Sequence, residues 1–133
     1  MLSVKHIKDK DKVLAIVVKG EFKGDSIHFF SEKEYSQQLG YMKRPLGYKI
    51  PNHIHKPNER KIFLTQEVLF IKSGMILVEI YNREKVHIQS VVLVGGDIIH
   101  LIDGGHGIQF LQESEILEVK QGPYMEKEDK EIF

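Results

Sequence analysis

"EVLFIKSGMILVEIY", Glu67 to Tyr81, holds two apolar runs joined at Ser73-Gly74. In the second run Ile76, Val78 and Ile80 fall on one face of an extended chain, and Leu77, Glu79 and Tyr81 on the other. That alternation is the period-2 signature of a half-buried strand. "KSGM" reads as a tight hairpin link, with Gly74 at a position that wants positive φ. Downstream, "YNREK" is a turn, followed by "KVHIQSVVLVGGD", "DIIHLI", "HGIQFLQ" and "SEILEVKQG". "VGGD" and "DGGHG" are glycine-rich corners where the backbone bends sharply. Upstream, "KVLAIVVKG" (Lys12–Gly20) is a nearly continuous β-branched run, and "SIHFF" follows at Ser26–Phe30. Between these and the decisive stretch, "EKEYSQQLGYM" fits either a short helix or an irregular crossing. The charged tail, residues 125–133, is expected to fray or form a short helix. Many short strands with glycine-rich turns predict an all-β sandwich or barrel, one domain over residues 1–133.

Composition narrows the function classes. The chain has 133 residues, with 19 basic and 19 acidic side chains. No basic excess points to nucleic acid. There is no cysteine, which excludes disulfides, thiolate metal ligands and thiol nucleophiles. "MLSVKHIKDKDK" lacks the apolar core of a signal peptide and no run reaches the length of a membrane span. A cytoplasmic protein without a membrane or nucleic-acid partner is the expectation.

Histidines carry the next signal. His53 and His55 are one residue apart, so in a strand they share a face. That pattern suits an exposed polar face or half of a metal site. His106 follows the double-glycine turn of "DGGHG". Gly47 precedes His53-Ile54-His55 by five intervening residues, and Glu67 precedes Gly74 by six. In these features the chain resembles the cupins, small β-barrels or jelly rolls whose two motifs bracket a metal-binding interior. The resemblance covers residues 45–121, with N-terminal strands over 12–30 completing the barrel. It departs from the family pattern in two places. The gap of eleven residues from His55 to Glu67 is long, so "PNERKIFLTQ" becomes a loop at the barrel mouth. In the second motif Gly96-Asp97 opens well, but Ile102 stands in place of proline, the step to His106 is short, and Phe110 replaces asparagine.

The resemblance implies a single-domain cupin barrel holding one divalent metal through His53, His55, Glu67 and His106, with Glu59 the reserve carboxylate. Imidazoles with a carboxylate suit Zn, Fe, Ni or Mn and leave positions for water or substrate. By analogy with small sugar-processing cupins, the expected ligand is a polar small molecule, a carbohydrate or nucleotide-linked sugar of polysaccharide synthesis. The chemistry would be that of an isomerase or epimerase, with Glu59 as the catalytic base, or of a dioxygenase. A non-catalytic metal or sugar sensor and a metal-free sugar isomerase are the alternatives. Arg60 and Lys61, in a loop starting just beyond a ligand, are substrate-binding candidates because a guanidinium holds phosphate or carboxylate bidentately. Tyr124, in the "GPY" turn, is a candidate pocket wall. His100 reads as a buried structural histidine in preference to a fourth imidazole ligand, His87 as exposed on a strand, and His6 and His28 carry no spacing signal. A homodimer is expected through the apolar Val13–Val18 segment, since cupins commonly pair through N-terminal strands.

Overall fold

The computed structural model describes residues 2–133, and ten strands with no helix make up its regular structure among them. They are β1 (Val4–Asp9), β2 (Lys12–Val18), β3 (Ile27–Phe29), β4 (Gly40–Met42), β5 (Glu67–Ser73), β6 (Met75–Tyr81), β7 (His87–Val94), β8 (Ile98–Leu101), β9 (Gly105–Phe110) and β10 (Glu115–Lys120). Every pairing is antiparallel. A five-stranded sheet has the order β1-β2-β8-β5-β10, a three-stranded sheet the order β7-β6-β9, and β3 pairs only with β4.

The alternation that identified β6 also builds the core. Ile76, Val78 and Ile80 are buried and pack with Leu93 of β7 against Ala15, Val17, Leu69, Ile71, Ile99 and Leu101 of the larger sheet. The two sheets therefore lie face to face, each contributing one apolar face. Burial of each such side chain is worth about 1.5–3 kcal/mol. The expected closed barrel does not form: neither sheet closes on itself, and in the smaller one β9 pairs with β6 on one side and leaves its other edge free.

β2 is apolar on both faces because both are covered. Ala15 and Val17 enter the inter-sheet core, while Ile16 and Val18 meet Phe30 and Ile102 beneath the segment that carries β3 and β4. Its two edges pair with β1 and β8. The Val13–Val18 segment, expected to form a dimer contact, thus has its edges paired and its faces covered within the chain.

Gly74 has φ +93°, as its turn reading required. The link itself is not a hairpin. Ser73 pairs with Glu115 in the larger sheet and Met75 with Val94 in the smaller one, so the chain crosses between sheets at Gly74. A Cβ there would run into Ser114 Oγ and lie 2.5 Å from the Glu113 carbonyl oxygen. Gly74→Ala is expected to cost about 2 kcal/mol, read as a lowered urea midpoint with an unchanged slope. An unaltered midpoint would show that this corner relaxes freely.

The charged tail neither frays nor turns helical. Lys120 Nζ lies 3.1 Å from Asp129 Oδ2, Lys85 Nζ lies 2.6 Å from Glu131 Oε1, and the Phe133 ring meets Tyr81 edge-on at 5.1 Å. "EKEYSQQLGYM" takes the irregular alternative and ends in β4.

Candidate functional site

Cross-strand partners share a face, which places four polar side chains at one mouth between the sheets. Glu67 pairs with buried Leu101 and with Lys120, so both Glu67 and Lys120 face inward. Glu118 pairs with buried Leu69 and His106 with buried Ile80, so they also face inward. Across this mouth His106 Nε2 lies 3.4 Å from Glu67 Oε2. The imidazole of His106 beside it holds the Glu67 carboxyl below its ordinary range; partial burial opposes the shift, while the charges of His106 and Lys120 and a bond from Glu118 reinforce it. Glu67 is therefore a carboxylate near neutral pH, aimed at an imidazole that is about a third exposed. Such a pair can exchange a proton with a bound molecule or offer one oxygen and one nitrogen to a cation.

His53 and His55 also come together, with ring centroids 5.3 Å apart. His53 Nδ1 lies 2.9 Å from the Pro51 carbonyl oxygen. A carbonyl only accepts, so Nδ1 carries the proton and Nε2 keeps its lone pair for a ligand. These two histidines are not on a strand. Residues 43–66 contain no regular structure, and residues 43–65 are all exposed. Among the described residues no three histidine or carboxylate side chains gather closely enough to hold a metal. Of the four expected ligands, His53 lies beside His55 and Glu67 beside His106, and the two pairs are not gathered into one group.

The substrate candidates separate. Glu59 is exposed in the same irregular run. Arg60 and Lys61 line a cleft of ≈ 480 Å³ together with Lys33, Tyr35, Phe63 and Gln66. Tyr124 is exposed, but the Lys120 ammonium sits 4.8 Å from its ring centroid, linking it to the Glu67 mouth.

Three polar residues escaped the histidine-centred search. Gln66 Oε1 accepts from the Gln37 amide at 3.3 Å and from His100 Nε2 at 3.0 Å. His100 is fully buried, as its structural reading expected, and burial pushes its imidazole down to about 4. Asp97 accepts from Lys19 Nζ, Gly20 N and Val94 N. Asp103 accepts from Lys12, Arg83 and the Gly104 amide; burial alone would raise its carboxyl, and together these bonds hold it below its ordinary value. The signal for both aspartates was their place beside the Gly95-Gly96 and Gly104-Gly105 corners.

No helix among the described residues is long and apolar enough to cross a membrane. Comparisons of the chain with family models, curated proteins and solved structures gave no match.

Proposed function

We propose that the chain is a cupin-type jelly roll that binds one divalent metal at the inter-sheet mouth and presents it to a polar small molecule. Glu67 and His106 are the formed half of the ligand set, and His53 and His55 supply the rest. The carrying observation is the 3.4 Å approach of Glu67 to His106 from two different sheets. The donor chemistry fits: a carboxylate already ionised, an imidazole partly open to solvent, and a His53 tautomer with Nε2 free. Zn, Fe, Ni and Mn all accept such donors, and the bound ion would polarise a carbonyl or activate a bound oxygen species. Around it the chain's own groups bind and position. Lys120 adds positive charge beside Glu67, and Arg60 with Lys61 offers cations to a phosphate or carboxylate. A carbohydrate or nucleotide-linked sugar matches that polarity, and a homodimeric assembly remains part of this reading.

A second, metal-free reading is favoured by the same pair: ionised Glu67 beside His106 is a proton-transfer dyad without further parts. Elemental analysis of untagged protein separates the two. In the metal reading, Glu67→Gln lowers metal content at least about tenfold while Glu59→Gln leaves it near the wild-type level. The reverse result would make Glu59 the ligand, and a metal-free wild type would leave the dyad.

A further inference from the structure

Four buried side-chain atoms lack a hydrogen-bond partner among the described residues: Ser36 Oγ, Gln37 Oε1, His100 Nδ1 and Gln121 Oε1. Gln66 joins them. Its Oε1 accepts from the Gln37 amide and from His100 Nε2, and its carbonyl accepts from Gln121 N. Ser36, next to Gln37 in the chain, lines the same cleft as Gln66. A backbone N–H only donates, so the Gln66 atom facing Gln37 is its oxygen, and His100 presents Nδ1 as a bare lone pair. The shell around Gln66 therefore holds three unsatisfied acceptors and one hydroxyl, and whatever completes it donates hydrogen bonds. Gln66 itself is 4% exposed, and its Nε2 makes no hydrogen bond among the described residues, which leaves that amide for the cleft it lines.

The cleft, ≈ 480 Å³ in volume, is of a size that takes one small molecule. Lys33, Arg60 and Lys61 stand at it, all exposed and none in an ion pair among the described residues. Glu34 adds a carboxylate. Because Gln121 N bonds Gln66 O, the ladder between β5 and β10 runs on through Gln66, and its side chain leaves on the opposite face from that of Glu67. The cleft thus lies across the larger sheet from the Glu67–His106 mouth. Water closes an acceptor shell, but it leaves the three cations of this cleft without a counter-charge. We propose that the cleft is a binding site for a sugar phosphate, with the phosphate against Lys33, Arg60 and Lys61 and the hydroxyls turned to Ser36, Gln66 and Glu34. A guanidinium and two ammonium groups suit a phosphate. Hydroxyls both donate and accept, so they meet the Gln66 amide, the Ser36 hydroxyl and the Glu34 carboxylate alike, and order water onto the acceptors behind Gln66. A bare anion satisfies only the cations and a neutral sugar only the floor. This rests on the polar-ligand reading above for Arg60 and Lys61, and it needs no metal.

Titration calorimetry of the untagged protein in EDTA tests this, with glucose-6-phosphate, glucose and inorganic phosphate as probes. Glucose-6-phosphate is expected to bind at least about tenfold more tightly than either fragment. Arg60→Ala with Lys61→Ala, both at exposed positions, should weaken it about tenfold or more. Ser36→Ala should weaken it about fivefold, and because Ser36 Oγ has no partner to lose, the fold stays as it is. Glu67→Gln, across the sheet, should leave the affinity unchanged. Inorganic phosphate binding as tightly as the sugar phosphate would reduce the cleft to a cationic surface and overturn the proposal, as would no binding of the sugar phosphate. Affinity lost in Glu67→Gln overturns it too, by moving the ligand to the mouth. Sugar phosphate bound by protein that is metal-free as purified keeps the cleft while the metal reading fails. Metal present as purified with no sugar phosphate bound overturns the cleft and keeps the metal.

Discussion

Replacing Asp97 by alanine is expected to remove about 3–5 kcal/mol of stability. The carboxylate is 1% exposed and receives Lys19 Nζ at 2.5 Å, Gly20 N at 2.9 Å and Val94 N at 2.8 Å. Alanine leaves the Lys19 ammonium, on a side chain 14% exposed, without its counter-charge. It also strips the acceptor from two backbone amides, each costing about 1–3 kcal/mol when left unpaired. These contacts tie the end of β2 to the Gly95-Gly96 corner that feeds β8, so their loss loosens the centre of the larger sheet. Urea unfolding of the variant measures the loss, with Asp97→Asn expected between it and wild type because the amide keeps an acceptor but not the charge. A loss under about 1 kcal/mol for alanine would mean that Lys19 swings into water and the pair matters little.

Acid is expected to weaken the fold through His100 by about 3 kcal/mol in total. Burial holds its imidazole at about 4 in the folded chain against 6.5 for the free group. The sign follows from proton counting. Above pH 6.5 neither state binds the proton and the contribution is fully present. As pH falls below 6.5 the unfolded chain takes up the proton and the folded chain does not, until about 4. Stability is therefore lost on acidification across that window. Roughly 2 kcal/mol should go between about pH 7 and 5. His100 is the one buried histidine among the described residues. His100→Gln keeps a donor for Gln66 Oε1 but cannot titrate. Its urea midpoint should fall less steeply than wild type between those two pH values; equal slopes would assign the acid sensitivity elsewhere.

The strands were legible where one face is buried and the other wet. Ile76, Val78 and Ile80 announce β6 without help, and the apolar run of β2 announces a strand though not its place. A run buried on both faces looks the same as a sticky surface, which is why Val13–Val18 suggested a partner though not its own place between β1 and β8. Gly74 shows the same limit. Its need for positive φ is local chemistry, but whether the next strand folds back or crosses to another sheet depends on Val94 and Glu115, residues far along the chain. The Glu67–His106 approach was visible only through the family resemblance, because spacing says nothing about which sheet a strand joins. The His53–His55 pairing needed only their separation. The absence of a strand beneath them could not be seen, since "PNHIH" has no alternation of its own.

The pairing of β2 with β8 sets an order in time. β6 and β7 are joined by the short turn at Asn82 to Val86, closed by Asn82 N donating to the Val86 carbonyl, so that hairpin can form as soon as its strands exist. The larger sheet cannot. Val18 must wait for Ile98 and Glu67 for Lys120, and such distant pairings are slow because the intervening loop is ordered before any contact rewards it. During that wait "VLAIVV" is a bare, uncharged, β-branched stretch flanked by Lys12 and Lys19, the kind of segment that seeks another chain's backbone. Losses during refolding should therefore start at this strand rather than at the native surface, and they should rise with chain concentration. The two lysines at its ends are the brake on that reaction.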